Sequence, residues 1–143
     1  MTLVRPIYET NDDLYRESSF IERLCTLWGF DSRKLPIKYK IDYALLRDRV
    51  IRAFLEVKIR KYTKDYFYAY MISMDKVEAA QKHSRFAGVP TILAVKWQDD
   101  AGYVVLDTLK NVTIGFGGRA DRDDKQDMEP IVYIPISQFK AIE

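Results

Sequence analysis

The sequence predicts a single α/β (α+β) domain in which a central mixed sheet, containing a β-hairpin, is flanked by helices. Three observations support this fold class. The chain has 143 residues, the length of one ordinary domain. Hydrophobic residues make up 48% and charged residues 31%, enough for a core beneath a polar surface. Helical and strand patterns alternate without a linker or repeat, so we expect residues 1–143 to form one domain, with residues 1–13 loosely held.

The first predicted helix covers residues 14–28, and Gly29 provides its stop signal. Its apolar face carries side chains at helical spacing: Leu14, Ile21, Leu24, Cys25 and Trp28. Cys25 is the single cysteine, so the chain forms no intramolecular disulfide. We expect this thiol to be a small core residue.

Two strands over residues 37–46 and 50–60 predict a β-hairpin. In the second strand apolar and mostly polar side chains alternate, which predicts one buried and one polar face. The apolar face comprises Ile51, Ala53, Leu55, Val57 and Ile59, and the polar face comprises Val50, Arg52, Phe54, Glu56, Lys58 and Arg60. In the first strand Lys38, Lys40 and Asp42 share one side.

Ser73 predicts the N-cap of a second helix over about residues 74–87, which Gly88 and Pro90 end. The nearly continuous apolar run of residues 91–97 predicts a buried strand. A strand, a helix and a strand in succession favour a crossover, so this strand should lie parallel to a neighbour. The remaining segments are strands predicted at residues 103–109 and 131–136 and a glycine- and aspartate-rich loop at residues 115–130.

The net charge is only +2, yet basic and acidic residues are segregated. Basic residues crowd the first half: Lys34, Lys38, Lys40, Arg47, Arg49, Arg52, Lys58, Arg60, Lys61 and Lys64. Acidic residues crowd a later loop: Asp121, Asp123, Asp124, Asp127 and Glu129. This predicts a local basic face that suits a nucleic-acid backbone. No long apolar run marks a signal peptide or a membrane span, so we expect a cytoplasmic protein.

Side chains of the predicted hairpin suit phosphodiester chemistry. Glu56 and Lys58 are two residues apart on one strand and therefore share a face. If the hairpin pairs around Arg49, Asp42 lies opposite Glu56 with the Cβ atoms roughly 5 Å apart, close enough to share one metal ion. Magnesium bound there would supply a hydroxide and a countercharge. The Val57 carbonyl would add a ligand, and Lys58 would orient the attacking water.

This interpretation depends on the register of the hairpin. A shift by one residue would put the two carboxylates on opposite faces and remove the site. For the triplet Glu56-Val57-Lys58 alone, the simpler explanation is a solvated strand with a salt bridge between Glu56 and Lys58.

The segments Ile41-Asp42-Tyr43 and Phe54-Leu55-Glu56-Val57-Lys58 resemble the PD-(D/E)XK nuclease superfamily, although Ile41 stands where that superfamily has a proline. The order of elements matches its restriction-endonuclease-like core. The wider chain is similar to small phage-encoded members related to the VRR-NUC and Holliday-junction-resolvase branches. Supporting segments are Tyr70-Met71-Ile72-Ser73-Met74-Asp75-Lys76, Gly88-Val89-Pro90, Val95-Lys96-Trp97, and Gly117-Gly118-Arg119 leading to Glu129-Pro130.

The resemblance implies a DNA endonuclease that depends on Mg²⁺ (or Mn²⁺) and acts in the host cytoplasm if it is phage-encoded. Such nucleases often add a glutamate from the first helix, and we prefer Glu17, in register with the apolar stripe, over Glu22. Lys76 would approach the phosphate, unless it is an ordinary solvent-facing lysine. Backbone contacts are expected from Arg47, Arg49, Arg52, Arg60 and Lys61. Junction resolvases work as dimers, so the resemblance implies a possible homodimer. The sequence itself does not indicate which surface would form the interface.

Two alternatives stay open: a DNA-binding module that does not cut, and an RNA-processing enzyme. One histidine, His83, and one cysteine make a zinc site unexpected, and no Gly-x-Ser-x-Gly elbow accompanies His83. The run Gly115-Phe116-Gly117-Gly118-Arg119 lacks the ending of a phosphate loop and predicts a flexible loop in which Arg119 could touch DNA. Trp28 and Trp97 are predicted as core anchors.

Overall fold

A six-stranded mixed sheet forms the centre of the computed structural model, which describes residues 11–118 and 128–142. The helices are α1 (Asn11–Trp28) and α2 (Met74–Ala87). The strands are β1 (Asp31–Lys34), β2 (Tyr43–Arg47), β3 (Val50–Ile59), β4 (Ala69–Ser73), β5 (Thr91–Lys96), β6 (Ala101–Val105), β7 (Thr113–Gly118), β8 (Met128–Pro135) and β9 (Lys140–Ala141). The central sheet has the order β1-β2-β3-β5-β6-β9, and a smaller sheet has the order β4-β8-β7. Residues 1–10, most of the segment expected to be loosely held, lie outside the described residues.

Two layers cover the central sheet and define two apolar cores. α1 packs on one face, where Leu55 and Val57 of β3 join its core. α2 and the smaller sheet pack on the other face, where Ala80 and Ile134 are buried. Because side chains alternate along a strand, Glu56 points away from α1 and toward the α2 layer. Glu56 of the predicted triplet is therefore buried between the layers, whereas the Lys58 side chain is 37% exposed.

The predicted crossover is confirmed. β3 and β5 pair in parallel, with Glu56 level with Leu93, and α2 lies on the path between them. The Ser73 side chain caps α2 by accepting a hydrogen bond from the Asp75 N–H at 3.2 Å. Gly88, with φ of 70°, ends the helix in the left-handed conformation that glycine tolerates best. These two caps define where α2 begins and ends, and they place its first turn, which carries Lys76, over β3.

The first strand of the hairpin is shorter than predicted. Residues 37–39 form a 3₁₀ turn after Pro36, and Lys40 follows in the left-handed conformation with φ of 63°. Lys38 and Lys40 therefore do not share a strand face with Asp42, and that prediction is wrong. The Leu35 N–H donates to the Asp42 carbonyl at 2.8 Å, which returns the chain to the sheet just before β2.

The sequence predicted one strand of the smaller sheet, at residues 131–136, and it corresponds to β8. β4 was not predicted, and β7 and β8 take residues from both ends of the predicted loop at 115–130. The glycines of β7 serve packing rather than flexibility, since a Cβ on Gly115 would lie 3.1 Å from Cε2 of Tyr133. Residues 119–127, which include Arg119 and the acidic run from Asp121, lie outside the described residues. The strand predicted at 103–109 is β6 followed by a 3₁₀ turn at Leu106–Thr108.

Predicted core residues differ in how deeply they lie. Trp97 is 1% exposed and anchors the core under the smaller sheet, as predicted. Trp28 is half-buried and meets Tyr103 edge-on, with ring centroids 5.6 Å apart. Cys25 is also half-buried, beside the α1 core. None of the helices in the described ranges is long and apolar enough to span a membrane.

Candidate active site

The β2–β3 hairpin turns tightly at its tip. Asp48 and Arg49 have φ of 54° and 65°, so both residues of the two-residue turn are left-handed. This is the pattern of a type I′ turn, whose twist matches that of the flanking strands. The turn sets Arg47 opposite Val50 and Leu46 opposite Ile51. If β3 paired continuously from this turn, Asp42 would be level with Leu55 and not with Glu56.

A β-bulge in β3 corrects the register before the site is reached. Leu46 pairs with Ile51 but Leu45 pairs with Ala53, so Arg52 has no partner on β2. Beyond the bulge Tyr43 faces Leu55, and the next residue in each direction brings Asp42 level with Glu56. The register predicted around Arg49 is thus wrong at the tip and confirmed at the site.

Asp42 stands just before β2 and reaches across to β3. Its Oδ2 accepts a hydrogen bond from the Val57 N–H at 3.2 Å. The N–H and carbonyl of one strand residue point to the same neighbouring strand, so the Val57 carbonyl also faces the Asp42 edge. Just before β2 begins, the Asp42 side chain therefore accepts the hydrogen bond that a backbone carbonyl would accept within a ladder. This leaves a carboxylate and a carbonyl side by side.

Glu56 is a fully buried carboxylate, 0% exposed, beneath two lysines. The Lys76 Nζ lies 3.1 Å from its Oε2, and the Lys58 Nζ lies 3.5 Å from the same atom. Within the described part of the chain no group is aligned to donate a hydrogen bond to this Oε2. Burial raises the pKa of Glu56; the Asp42 charge raises it further, while the two ammonium groups oppose the rise.

This arrangement distinguishes the two interpretations of Glu56-Val57-Lys58, a solvated salt bridge or a functional site. The Lys58–Glu56 salt bridge exists, but on a buried carboxylate rather than on a solvated strand. Lys76, at the start of α2, turns to the site and not only to solvent, its side chain being 29% exposed. A second carboxylate, Asp42, raises the cost of charging Glu56. Such burial of like charges is typical of a functional site.

A family model described as "Phage putative PDDEXK endonuclease" matches residues 3–142. The chain belongs to this endonuclease family. The resemblance to PD-(D/E)XK nucleases, and in particular to phage-encoded members, is thereby confirmed. A comparison with curated proteins finds no match.

Two solved structures share the fold of this endonuclease. One is Hjc of Archaeoglobus fulgidus, a Holliday junction resolvase, with a TM-score of 0.58 and 19% identity over 88% of this chain and 96% of that one. The other is D212, a nuclease from a fusselovirus, with a TM-score of 0.58 and 17% identity over 96% of this chain and 91% of that one. The predicted fold class, a restriction-endonuclease-like core with a mixed sheet flanked by helices, is therefore confirmed.

The first helix of the endonuclease brings Glu17 to the sheet, as its register predicted. The Tyr43 hydroxyl donates to Oε2 of Glu17 at 3.5 Å, whereas Glu22 is exposed. Tyr43 directly follows Asp42 but packs in the core under α1, so Glu17 lies near the start of β2 on the face of the sheet opposite Glu56. Among residues 11–118 and 128–142, however, no three side chains of the Asp, Glu, His and Cys types are grouped closely enough to hold a metal ion.

The donor set still suits a hard divalent cation. Asp42, Glu56 and the Val57 carbonyl are all oxygen ligands, which Mg²⁺ and Mn²⁺ prefer. Oε2 of Glu56 is buried and without an aligned donor, and its pKa is raised by burial and by Asp42. A cation between the two carboxylates would remove both costs. Lysine ammonium groups supply the positive charge in this structure.

Two of the residues expected to hold a nucleic-acid backbone, Arg52 and Arg60, lie at opposite ends of β3. Arg52 is the exposed bulge residue, four positions and roughly 13 Å of strand before Glu56. Arg60 follows the strand, donates from Nη2 to the Tyr70 hydroxyl at 2.8 Å and lies over its ring at 5.4 Å. Only Arg60 is therefore held close to the carboxylates by a described contact.

Tyr70 is a site neighbour that the sequence analysis missed. It is buried in β4, and its pKa is raised by burial first, with the charge of Glu56 adding to the rise and Arg60 opposing it. Its role could not be seen because β4 joins the site through the second sheet, not through neighbouring residues in the chain. The alternation of Tyr70 and Ile72 about the exposed Met71 was the available signal for this strand.

Proposed function

We propose that this endonuclease hydrolyses phosphodiester bonds in DNA and depends on a divalent metal ion, Mg²⁺ or Mn²⁺. The observation that carries the proposal is the placement of Asp42 level with Glu56, with Lys58 on the same strand face. A buried carboxylate beside a second, half-buried one costs stability and needs a compensating cation. Metal-assisted hydrolysis gives that arrangement a use.

The proposed metal ligands are Asp42, Glu56 and the Val57 carbonyl. When bound, the ion supplies an activated water and positive charge for the transition state. The hydrogen bond from the Val57 N–H holds the Asp42 carboxylate in place before any ion binds. Glu56 is oriented by the sheet on both sides of β3, so its carboxylate has little freedom. This pre-organisation favours a fixed ligand geometry.

Lys58 is proposed to orient the attacking water and to offset charge on the phosphate. Its side chain is 37% exposed, and its ammonium group lies 3.5 Å from Oε2 of Glu56. Lys76 is proposed to neutralise Glu56 in the absence of a metal ion and to contact the phosphate in its presence. The N-terminal turn of α2, where Lys76 lies, also favours anions. Glu17 is proposed to assist the metal site from α1, near the start of β2.

Backbone binding is proposed to rest on Arg60, next to the site, and on Arg52, at the far end of β3. Each cation that contacts a phosphate adds to the salt dependence of binding, so affinity for DNA should fall as salt rises. We further propose that the enzyme acts in the cytoplasm of the host. A homodimer is also proposed, and light scattering after size-exclusion chromatography tests it.

The test is cleavage of plasmid, linear duplex, branched and single-stranded DNA in Mg²⁺ or Mn²⁺, with EDTA as the control. We expect Asp42→Asn, Glu56→Gln and Lys58→Met each to reduce cleavage by at least a hundredfold. Glu22→Gln, an exposed carboxylate on α1, is the matched control and should retain full activity. Thermal unfolding of each variant shows whether it is folded.

Full activity in any two of the three site variants would refute the mechanism. Binding without cleavage of any substrate would instead support a non-cutting DNA-binding module. Preferential cleavage of RNA in the same assay would show that the substrate is RNA. The proposed metal-dependent mechanism would not be affected.

A further inference from the structure

The segment that follows β3 exposes aromatic rings next to the proposed site. Tyr66 is 67% exposed, Tyr68 89% and Phe67 42%. Phe67 meets Tyr66 and Tyr62 edge-on, with ring centroids 4.7 and 5.0 Å apart. We call residues 62–68 the aromatic turn. So much aromatic surface on one turn marks an interaction site, because rings left in water forgo the free energy of burial.

The aromatic turn is held in place by hydrogen bonds. The Tyr66 N–H donates to the Thr63 carbonyl at 3.1 Å, and the Gln98 N–H donates to the Tyr62 carbonyl at 3.0 Å. The Lys64 N–H donates to Oδ1 of Asp99 at 2.9 Å. The rings are therefore presented on a built turn anchored to the β5–β6 connection. A platform fixed in this way binds with little loss of conformational entropy.

A chain of contacts joins the aromatic turn to the carboxylates. Burial raises the pKa of Tyr70 and the charge of Glu56 raises it further, so Tyr70 lies near this carboxylate. The Tyr70 hydroxyl accepts from Arg60, two residues before the turn. Lys58 and Tyr62 are four residues apart, at most about 13 Å of chain. That span corresponds to about four nucleotides of one DNA strand.

The residue types of this segment match single-stranded nucleic acid. Residues 60–70 carry three cations, Arg60, Lys61 and Lys64, against one carboxylate, Asp65. Two of these cations also have partners from other segments: Lys61 lies 3.4 Å from Asp13 and Lys64 lies 3.5 Å from Asp100. Aromatic rings stack on bases of any sequence, and neighbouring cations follow the phosphates. Bases inside an intact duplex are already stacked on each other and offer no free face. Stacking on the turn therefore requires unpaired bases.

A cleft beside the turn is large enough for one base. It has a volume of about 480 Å³ and runs from Tyr68 onto the outer face of the smaller sheet, where Tyr133 forms a wall. Asn111 and Thr113 also line it and offer amide, carbonyl and hydroxyl groups. A stacked base could enter this cleft with its polar edge toward these groups.

We propose that the aromatic turn binds unpaired nucleotides a few positions from the scissile phosphate. The substrate class is then DNA that is single-stranded or has a single-stranded flap, gap or branch, and not uninterrupted duplex. The proposal rests on the proposed nuclease function for its link to cleavage. The binding itself can be measured without it.

The experiment is fluorescence anisotropy with a labelled oligothymidylate and a blunt duplex of the same length, in EDTA so that nothing is cut. The double variant Tyr66→Ala/Tyr68→Ala should lose roughly tenfold to a hundredfold in affinity for the single strand and less than twofold for the duplex. Tyr66→Trp, which keeps a stacking ring, should bind like the parent. Phe86→Ala, which removes a ring 95% exposed on α2, is the matched control and should bind both probes normally.

Parent-like binding of the single strand by the double variant, with unfolding temperature unchanged, would overturn the proposal. So would an equal loss for single strand and duplex, or the same loss in Phe86→Ala. Tighter binding of oligouridylate than of oligothymidylate would overturn the assignment to DNA. If the parent protein binds single strands through the aromatic turn but cuts no substrate with metal present, the proposed nuclease mechanism is refuted. The proposed binding by the aromatic turn is then still supported.

Discussion

Replacing Lys76 by methionine tests whether the buried carboxylate depends on a positive charge. The change removes an ammonium group 3.1 Å from Oε2 of Glu56 and keeps a side chain of similar length. At an effective dielectric constant of about 20, a pair at this distance interacts by about 5 kcal/mol. The full amount cannot be lost, because Glu56 can take up a proton instead.

Protonation sets the ceiling of the effect. Protonating a glutamate of ordinary pKa, about 4.3, costs about 3.7 kcal/mol at pH 7. Lys58 remains 3.5 Å from the same oxygen and reduces the loss further. Removing Lys76 also removes the cost of its own partial burial. We therefore expect Lys76→Met to lower the free energy of unfolding by about 2 kcal/mol near pH 8.

The loss should depend on pH in a definite direction. Burial already raises the pKa of Glu56, and removing Lys76 raises this pKa in the folded protein further. Between the ordinary pKa of glutamate and the raised folded pKa, the folded state holds a proton that the unfolded state has released. The free energy of unfolding therefore falls as pH rises through this window. The deficit of the variant should be small near pH 4.5 and complete near pH 8.

Urea denaturation of the parent and Lys76→Met from pH 4.5 to 8 measures the deficit. The matched control is Lys82→Met, an exposed lysine on the same helix, which should cost less than about 0.5 kcal/mol at every pH. In a Glu56→Gln background the effect of Lys76→Met should lose its pH dependence. A deficit of equal size at both ends of the pH range, or one that persists unchanged with Glu56→Gln, would refute the reasoning.

Two further predictions concern the metal site and the smaller sheet. Because burial raises the pKa of Glu56, Mg²⁺ must displace a proton below that pKa, so its affinity should rise by up to about tenfold per pH unit and then level off. Calorimetric titration checks this, and a rise of the same steepness in Glu56→Gln would contradict it. Gly115→Ala should destabilise the fold by about 1–3 kcal/mol, since its Cβ would lie 3.1 Å from the Tyr133 ring. Thermal unfolding measures the loss, and an unchanged loss in a Tyr133→Ala background would show that ring contact is not its cause.

Elements with a strong local pattern were predictable from the sequence. α1 follows from its apolar stripe, α2 follows from the N-cap Ser73 and the stop signal at Gly88, and β3 follows from the alternation of apolar and mostly polar side chains. β1 and β9 have four residues or fewer, too short to show a period, and in β4 the alternation covers only Tyr70, Met71 and Ile72. Their existence depends on partners far away in the chain, as in the pairing of β4 with β8. β7 was not predicted because its glycines are typical of a loop. In the structure they leave room for the ring of Tyr133.

The sequence predicted which residues form the candidate site, but not which elements cover them. Asp42, Glu56 and Lys58 could be grouped because two of them share a strand and the third lies across a short hairpin. The burial of Glu56, the approach of Lys76 and the contact of Arg60 with Tyr70 depend on how α2 and β4 are laid over the sheet. Alternation along a strand indicates which side chains share a face, and it carries no information on what covers that face.

The bulge at Arg52 shows why the register could not be derived from the turn. A two-residue type I′ turn at Asp48 and Arg49 fixes strand pairing so firmly that, without an irregularity, the two carboxylates would point to opposite faces. One unpaired residue reverses this. A bulge costs a ladder hydrogen bond, and Arg52 itself is exposed. Beyond the bulge Leu45 lies opposite Ala53, and both are buried with Leu55 in the core under α1. Without it the apolar side chains of β2 and β3 would lie on opposite faces of the sheet. The same irregularity therefore serves the packing of the core and sets Asp42 level with Glu56.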